Sequence, residues 1–255
     1  MAGNTPLKAN GDFNLSVTAI KRRLQGVLQR ALGIGHYLFF FAVYTTATWR
    51  LAEPAFFRFL RLIPNSGVII DVGANLGVTA CYFARRKPDS QVFAFEPIPW
   101  NVRTIRRMIA FSGVHNVSVK PYAIGNRSGE VSLGVPIVKG ARMHALGRVC
   151  EGDSAGELFR VPCRRLDDLF LTNSRHISAL KVDVEGFEHE VLGGALKLLQ
   201  RDHPLVYCEL WDNTRLQQCM ELLAPLGYDI ADYIGDNYIF AARNAPALPA
   251  AGQRA

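Results

Sequence analysis

Glycines and acids stand where the apolar runs of this sequence end. In VIIDVGANLG, Asp71, Gly73, Asn75 and Gly77 close the run 67–73. FAFEP ends in Glu96 and Pro97, YAIG brings Ala123, Ile124 and Gly125, and KVDVEG ends in Asp183, Glu185 and Gly186. Glycines at 73 and 77 permit a tight turn and let backbone approach a ligand closely. The spacing is not G-x-G-x-x-G, because Asn stands at 75. A pyrophosphate loop therefore fits less well than a loop holding another part of a nucleoside cofactor. Glu96, a little over twenty residues past Gly73, can accept both hydroxyls of a ribose. Ala123 and Ile124 form a small, neutral edge that could face a base. Taken singly, a glycine turn or a strand-end acid is equally a packing device, a helix cap or a surface charge. Their succession at consecutive strand ends is the specific feature.

For these residues to meet, the runs must be neighbouring strands with their carboxyl ends on one side. GVIIDVG (67–73) is continuously apolar, as a strand buried on both faces requires. A helix over about 76–87, ended by Pro88, leads to the strand QVFAFEP (91–97). A helix over about 101–112 carries a basic face of Arg103, Arg106 and Arg107 before the third strand, NVSVKPYAIG (116–125). Residues 126–165 read as irregular, with short β-like pieces at 130–135 and 159–164 around a loop. LDDLF opens a short helix. ALKVDVEG (179–186), the helix HEVLGGALKLLQ, PLVYCEL (204–210) and a helix near 215–225 follow. Gly-Asp-Asn between YDIADYIG and NYIFAAR predicts an antiparallel hairpin. Repeated strand–helix units predict an α/β sandwich, mostly parallel, with right-handed crossovers and one antiparallel strand. Ligands of such sheets bind beyond the carboxyl ends of the strands.

The runs VIIDVGANLGVTACYFA, FAFEPIPWN and ALKVDVEGFEHEVLGGA together resemble the FkbM family of S-adenosylmethionine-dependent methyltransferases. The resemblance covers roughly residues 58–242 and rests on the order of D-V-G-A-N-x-G, F-E-P-x-P-x-N and K-x-D-V-E-G-x-E. Phe187 stands where the family frequently has His. The resemblance implies a class I methyltransferase fold, a Rossmann-like three-layer sandwich. Its seven-stranded sheet would run 3-2-1-4-5-7-6 with the seventh strand antiparallel, here with an N-terminal helical extension. It implies S-adenosylmethionine as cofactor. The loop from Asp71 to Gly77 (with Gly73 and Asn75) would hold the methionine part, and Glu96 the ribose hydroxyls. Pro97 and Asn101 would shape that pocket, Ala123 and Ile124 would lie beside the adenine, and Asp183 would line the methyl-transfer end.

Methyl transfer is an in-line displacement, so positioning supplies much of the rate. A hydroxyl acceptor must also lose its proton, to a general base or with help from a metal. The candidates are Asp183, Glu185, Glu188, His189 and Glu209. Glu185 is the expected base, because it leaves the fourth strand toward the active-site edge beside Asp183. Two such carboxylates can raise one pKa. They could also bind a divalent cation, which is not the favoured reading, and no metal ligand is assigned. The competing reading makes Glu185 the N-cap of the next helix, and His189 reads better as a helix-surface residue. The loop 136–160, with Arg142, His144 and Arg148, is expected to contact the acceptor. Cys163 reads as a packing thiol. The expected reaction is O-methylation of a hydroxyl on a small molecule, saccharide or glycolipid. Two alternatives are an NAD-dependent oxidoreductase, and a membrane- or RNA-interacting module with a vestigial cofactor site. The missing G-x-G-x-x-G and the D-V-E-G block count against the first.

The whole chain supports a catalytic domain with an appendage. Its 255 residues are 49% hydrophobic and 20% charged, which excludes a disordered chain, a coiled coil or a collagen-like repeat. Five scattered cysteines without a C-x-x-C pair argue against a disulfide scaffold or a structural zinc, and for reduced thiols in a cytoplasmic protein. The net charge of +7 is uneven. Residues 1–61 hold eight Lys and Arg against Asp12 and Glu53, a net +6, leaving the rest nearly neutral. That argues against a nucleic-acid substrate.

Residues 15–33 predict a basic amphipathic helix, with Ile20, Leu24, Val27, Leu28, Ala31 and Leu32 on one face. Residues 31–49 lack any charged side chain but are diluted by glycines, His36, threonines and tyrosines. A buried helix, a helix docked at a membrane surface and a span are all open there. Peripheral membrane contact through residues 15–50 is the expected partner besides the acceptor. The boundaries are an extension over 1–55 with a loose start through 14, a methyltransferase domain over 56–243, and a disordered tail over 244–255.

Overall fold

Alternation within the strands sorts their side chains onto two helical layers. The computed structural model describes residues 9–149, 156–172 and 175–243. Three helices come first: α1 (Ala9–Leu32), α2 (Ile34–Ala52) and α3 (Pro54–Leu62). They are followed by β1 (Ser66–Val72), α4 (Val78–Arg86), β2 (Asp89–Phe95), α5 (Pro99–Ser112) and β3 (Val117–Lys120). Short strands β4 (Ala123–Ile124), β6 (Ala141–Arg142) and β7 (Arg148–Val149) accompany the long ones, β5 (Gly129–Val138) and β8 (Gly156–Arg164). The chain continues through α6 (Leu166–Phe170), β9 (Ile177–Val182), α7 (Glu188–Gly193), α8 (Leu196–Asp202), β10 (Leu205–Glu209) and α9 (Asn213–Leu223). It closes with β11 (Tyr228–Ile234) and β12 (Asn237–Ala242).

The main sheet has seven strands in the order β3-β2-β1-β9-β10-β12-β11. All neighbours are parallel except β12, which runs antiparallel to both β10 and β11. This is the expected order, and the expected closing hairpin. Val68, Ile70 and Val72 of β1 face one core with α6, α7, α8 and α9, while Ile69 faces another with α2, α3, α4 and α5. Register then aligns the strand ends: Val72 lies opposite Phe95 on one side and Val182 on the other.

Residues 126–165 differ from the expectation of irregular chain. β5 and β8 pair antiparallel from Gly129 opposite Cys163 to Pro136 opposite Gly156, and they anchor a second, five-stranded sheet with β4, β6 and β7. Val131, Leu133 and Val135 alternate inward; the first two meet Val161 and Cys163, and Val135 joins the core of α2, α3, α4 and α5. Gly129, Gly134, Pro136, Gly156 and Pro162 obscure that alternation, because glycine and proline are depleted from strand interiors.

The N-terminal region also differs. Helix begins at Ala9 rather than after 14, with no proline between 9 and 14 to stop it. Gly33 at φ +72 separates α1 from α2. Tyr37, Leu38 and Ala42 of α2 join Phe56, Phe59, Ile69 and Phe83 in one core, so the extension and the domain share their apolar interior. Arg107 Nη1 donates to the Gly35 carbonyl at 2.8 Å, and Tyr82 Oη donates to the Thr46 carbonyl at 2.7 Å, tying α2 to α5 and α4. Among the described residues no helix is long and apolar enough to cross a membrane. The tail expected over 244–255 lies outside the described residues.

Candidate active site

Behind β1 the backbone turns through three left-handed residues, Gly73 (φ +77), Asn75 (φ +49) and Gly77 (φ +84). The amides of Gly73 and Ala74 both donate to the Phe95 carbonyl, at 3.1 and 3.0 Å, which locks the turn to the end of β2. A Cβ at position 73 would run into the Asp183 carbonyl oxygen, so glycine alone lets the ends of β1 and β9 meet. Asn75 is one of the few residue types that tolerate this conformation.

Glu96 is buried and holds the turn from the other side. Its Oε2 accepts from the Asn75 amide and its Oε1 from the Ile98 amide, both at 2.9 Å, and Asn101 Nδ2 donates to Oε1 at 3.3 Å. Asn101 Nδ2 also reaches the His144 carbonyl at 3.3 Å, and His144 Nδ1 lies 3.2 Å from Asn75 Oδ1. Burial pushes Glu96 up to about 7 against these donors. Burial pushes His144 down to about 4, which leaves its imidazole neutral at neutral pH.

Under the turn lies a buried cation. Lys181 Nζ is 3.2 Å from Asp183 Oδ2, 3.4 Å from Asp71 Oδ1 and 3.5 Å from the Gly73 carbonyl. Thr79 Oγ1 donates to Asp71 Oδ2 at 2.5 Å. Lys181 is desolvated, yet the carboxylates of Asp183 and Asp71 outweigh that and raise its pKa. It stays charged and fixes Asp183. Burial raises Asp71, opposed by Lys181 and Thr79.

The turn after β9 throws Glu185 outward. Glu185 has φ +55 and Gly186 φ +97. Such a conformation costs a non-glycine residue of order 1–3 kcal/mol and persists only where neighbours impose it. Glu188 imposes it here: its Oε1 accepts from the Gly186 amide at 2.9 Å and the Val184 amide at 3.3 Å, while its Oε2 lies 3.6 Å from Arg215. A Cβ on residue 186 would come within 2.6 Å of Arg215. The N-cap of α7 is Phe187, with no side-chain cap. Glu188 therefore holds the turn that an N-cap reading of Glu185 would have it hold. Burial first, then Asp183, push Glu185 up to about 7. Glu209 at the end of β10 reaches about 7 from burial and from Asp183, with which it shares a hydrogen bond.

These turns enclose a cavity of about 250 Å³. Gly73, Asn75, Glu96, Pro97, Ala123, Ile124, Asp183 and Glu185 line it, joined by Tyr122, Phe187 and Glu209. A second chamber of about 120 Å³ shares Gly73, Asn75, His144 and Asp183 with the first. Phe41, Thr45 and Trp49 of α2 wall it. Asp71, Gly77 and Asn101 stand behind the walls: Asp71 under Lys181, Gly77 against Ile105, and Asn101 behind Glu96. His189 lies on α7, 3.9 Å from Glu190, away from both chambers. Arg142, expected at the acceptor, instead pairs with Glu157 at 2.8 Å. Cys163 is a buried free thiol. Among the described residues no group of three or more His, Cys, Asp or Glu is arranged to hold a metal ion.

Sequence reasoning missed Lys181 and the aromatic wall of α2. A lysine inside an otherwise apolar strand was the available signal for the first, since lysine is almost never fully buried unless paired. Nothing local marks the second.

Residues 71–236 match the methyltransferase FkbM domain. Methyltransferase 1 of Beauveria bassiana is 27% identical over 172 residues, covering 61% of this chain and 66% of that protein. Methyltransferase sdnD of Sordaria araneosa is 27% identical over 196 residues, covering 66% of this chain and 76% of that protein. The crystal structure of a methyltransferase FkbM from Methylobacillus flagellatus superposes with a TM-score of 0.50 at 16% identity, covering 69% of this chain and 44% of that one. The chain thus spans just under two thirds of the Beauveria relative and under half of the crystallised one.

Proposed function

Because the chain belongs to the FkbM methyltransferase family, we propose that it methylates a hydroxyl oxygen of a small molecule, saccharide or glycolipid, with S-adenosylmethionine as donor. The observation that carries the oxygen acceptor is Glu185, held at φ +55 on the cavity wall with its pKa pushed up to about 7. A group of that pKa is a competent general base near neutral pH. Glu209 has a similar value but shares its hydrogen bond with Asp183. Among the described residues no hydrogen bond ties the Glu185 side chain.

The cavity residues fit the cofactor. Glu96 offers carboxylate oxygens for a ribose diol, the left-handed turn through Gly73 and Asn75 brings backbone to the cavity wall, and Ala123 and Ile124 supply a small apolar edge. The acids Asp183, Glu185 and Glu209 suit a cofactor that carries a positive sulfonium. When bound, S-adenosylmethionine supplies an electrophilic methyl group. The chain's own part is to exclude water, orient the acceptor and move one proton. Lys181 holds Asp183 in place, Glu96 would hold the ribose and the turn with Gly73 and Asn75 the methionine part, and Glu185 would take the proton of the acceptor hydroxyl. The chamber walled by Phe41, Thr45 and Trp49 meets the first cavity at Asp183 and gives space for the acceptor, whose hydroxyl would reach past Asp183 into the cavity that Glu185 lines.

The test follows labelled methyl transfer from S-adenosylmethionine into cell extracts split into lipid, saccharide and small-molecule fractions. Glu185→Gln is expected to lower turnover by roughly 10²–10⁴-fold while the cofactor dissociation constant, read by calorimetry, stays unchanged. Full turnover in that variant sinks the base assignment. Label recovered on nitrogen or carbon sinks the oxygen acceptor.

A further inference from the structure

The helix α1 is turned the unexpected way round. It seats on the protein by its polar side. Gln29 is only 4% exposed and pairs with the Arg142 backbone in both directions: Nε2 donates to the carbonyl at 3.1 Å, and Oε1 accepts from the amide at 2.9 Å. Gly26 lies so close to the backbone of Gly140 and Ala141 that a Cβ would come within 2.9 Å. At about 100° per residue, Leu24, Val27, Leu28 and Ala31 fall on the opposite side of the helix. Leu24, Val27, Leu28 and Leu32 are accordingly 58%, 51%, 40% and 45% exposed. Gln29 and Gly26 commit the inner face, so no rotation about the helix axis could bury the leucine row and keep these contacts.

From this inversion we infer that α1 lies on the surface of an anionic phospholipid bilayer, with Leu24, Val27, Leu28 and Leu32 inserted. Charge selects the occupant. On the helix wheel Lys21 falls at one edge of the row, between Leu28 and Leu32, and Arg23 and Arg30 border the other edge; all three are exposed. The sequence holds no Asp or Glu between Asp12 and Glu53. An apolar stripe edged by cations is the pattern of an interfacial helix, and anionic headgroups complement it. A second copy of this chain would bring the same cations against themselves, and like charges facing each other across an interface are costly. The next helix continues the theme with exposed Phe40 and Tyr44, and Phe111 of α5 packs on Phe39 at 5.7 Å. Ring side chains of this kind suit the headgroup level.

The inference stands apart from the methyltransferase reading, because its test reads sedimentation and not turnover. The full chain is spun with vesicles of phosphatidylcholine alone and of phosphatidylcholine with phosphatidylserine. Binding is expected only to the anionic vesicles, weakening as salt rises. Leu24→Glu with Leu28→Glu is expected to abolish it, with circular dichroism and melting temperature unchanged because both side chains are exposed. Lys21→Gln and Arg23→Gln should each weaken partitioning by about fivefold. Binding to neither vesicle, or equal binding by the leucine variant, overturns the inference. So does a dimer in sedimentation velocity that the same leucine substitutions dissociate, since the row would then be covered by a second copy.

Discussion

Glu96 and Glu185 both titrate near pH 7, and the consequences differ because their surroundings differ. Glu96 is buried among donors, and ribose hydroxyls would add two more, all of which favour the carboxylate. Cofactor binding should therefore release a proton below about pH 7. The dissociation constant is expected to rise as pH falls from about 8 to about 6, by up to about tenfold per unit, and Glu96→Gln should weaken binding and flatten that profile. Calorimetry at several pH values checks this, and a constant affinity across the range removes the ribose role. The same shift has a stability sign. A carboxyl whose pKa is about 7 folded and 4.5 as the ordinary value binds more protons in the folded state between those values. Its contribution is fully present below about pH 4.5 and is lost as pH rises toward about 7. Glu96→Gln is neutral like the protonated acid, so denaturant midpoints for the two proteins should lie closest near pH 4.5 and part toward about pH 7, where only the wild type loses this stability.

At the scale of elements, the site depends on two turns that must touch, after β1 and after β9. Gly73→Ala tests this contact. Its φ of +77 and the Asp183 carbonyl oxygen both exclude a Cβ. The variant is expected to lose at least about 2 kcal/mol of stability together with cofactor binding. Gly113→Ala is the matched control. It has φ +65 at the end of α5 with nothing near its Cβ position, and should lose only about 1–2 kcal/mol. Equal losses in chemical denaturation would mean that the contact between the turns contributes nothing.

These turns were legible in the sequence because continuous apolar runs of β1 and β9 stop at glycines and acids. Strand–helix alternation predicted a mostly parallel sheet with one antiparallel strand, while the order of its strands came only with the family resemblance that these runs carry. The β5–β8 ladder was not legible, because its glycines and prolines break the period. The orientation of α1 was not legible either, since periodicity says which face is apolar and not which face packs. The seat of α1 depends on Gln29 meeting the Arg142 backbone, 113 positions away. Chambers behind His144 and the α2 aromatics are likewise products of long-range packing, which no local pattern records.

Across the whole molecule, four of the eight Lys and Arg of residues 1–61 and the exposed apolar row belong to α1, while α2 joins the core. The N-terminal region is thus two structures: α1 turns its apolar row outward, while α2 buries Tyr37, Leu38 and Ala42 and leaves Phe40 and Tyr44 exposed. Leu38 of α2 is fully buried beside residues of α3, α4 and α5, and Leu28 of α1 is 40% exposed. Leu38→Ala leaves a cavity in the shared core and should cost about 2–5 kcal/mol, while Leu28→Ala should change stability by no more than about 0.5 kcal/mol. The first variant should also disturb the chamber walled by Phe41 and Trp49, because the same helix carries all three side chains. Turnover should therefore fall with stability in Leu38→Ala and hold in Leu28→Ala on a water-soluble acceptor. A chain begun at Glu53 would lose both helices at once, expose Phe56 and Tyr82 where Trp49 now packs at 4.6 and 5.7 Å, and unfold at lower denaturant than either point variant. If the shortened chain kept the full stability and turnover of the whole one, α2 would be an appendage and its place in the acceptor chamber would be lost.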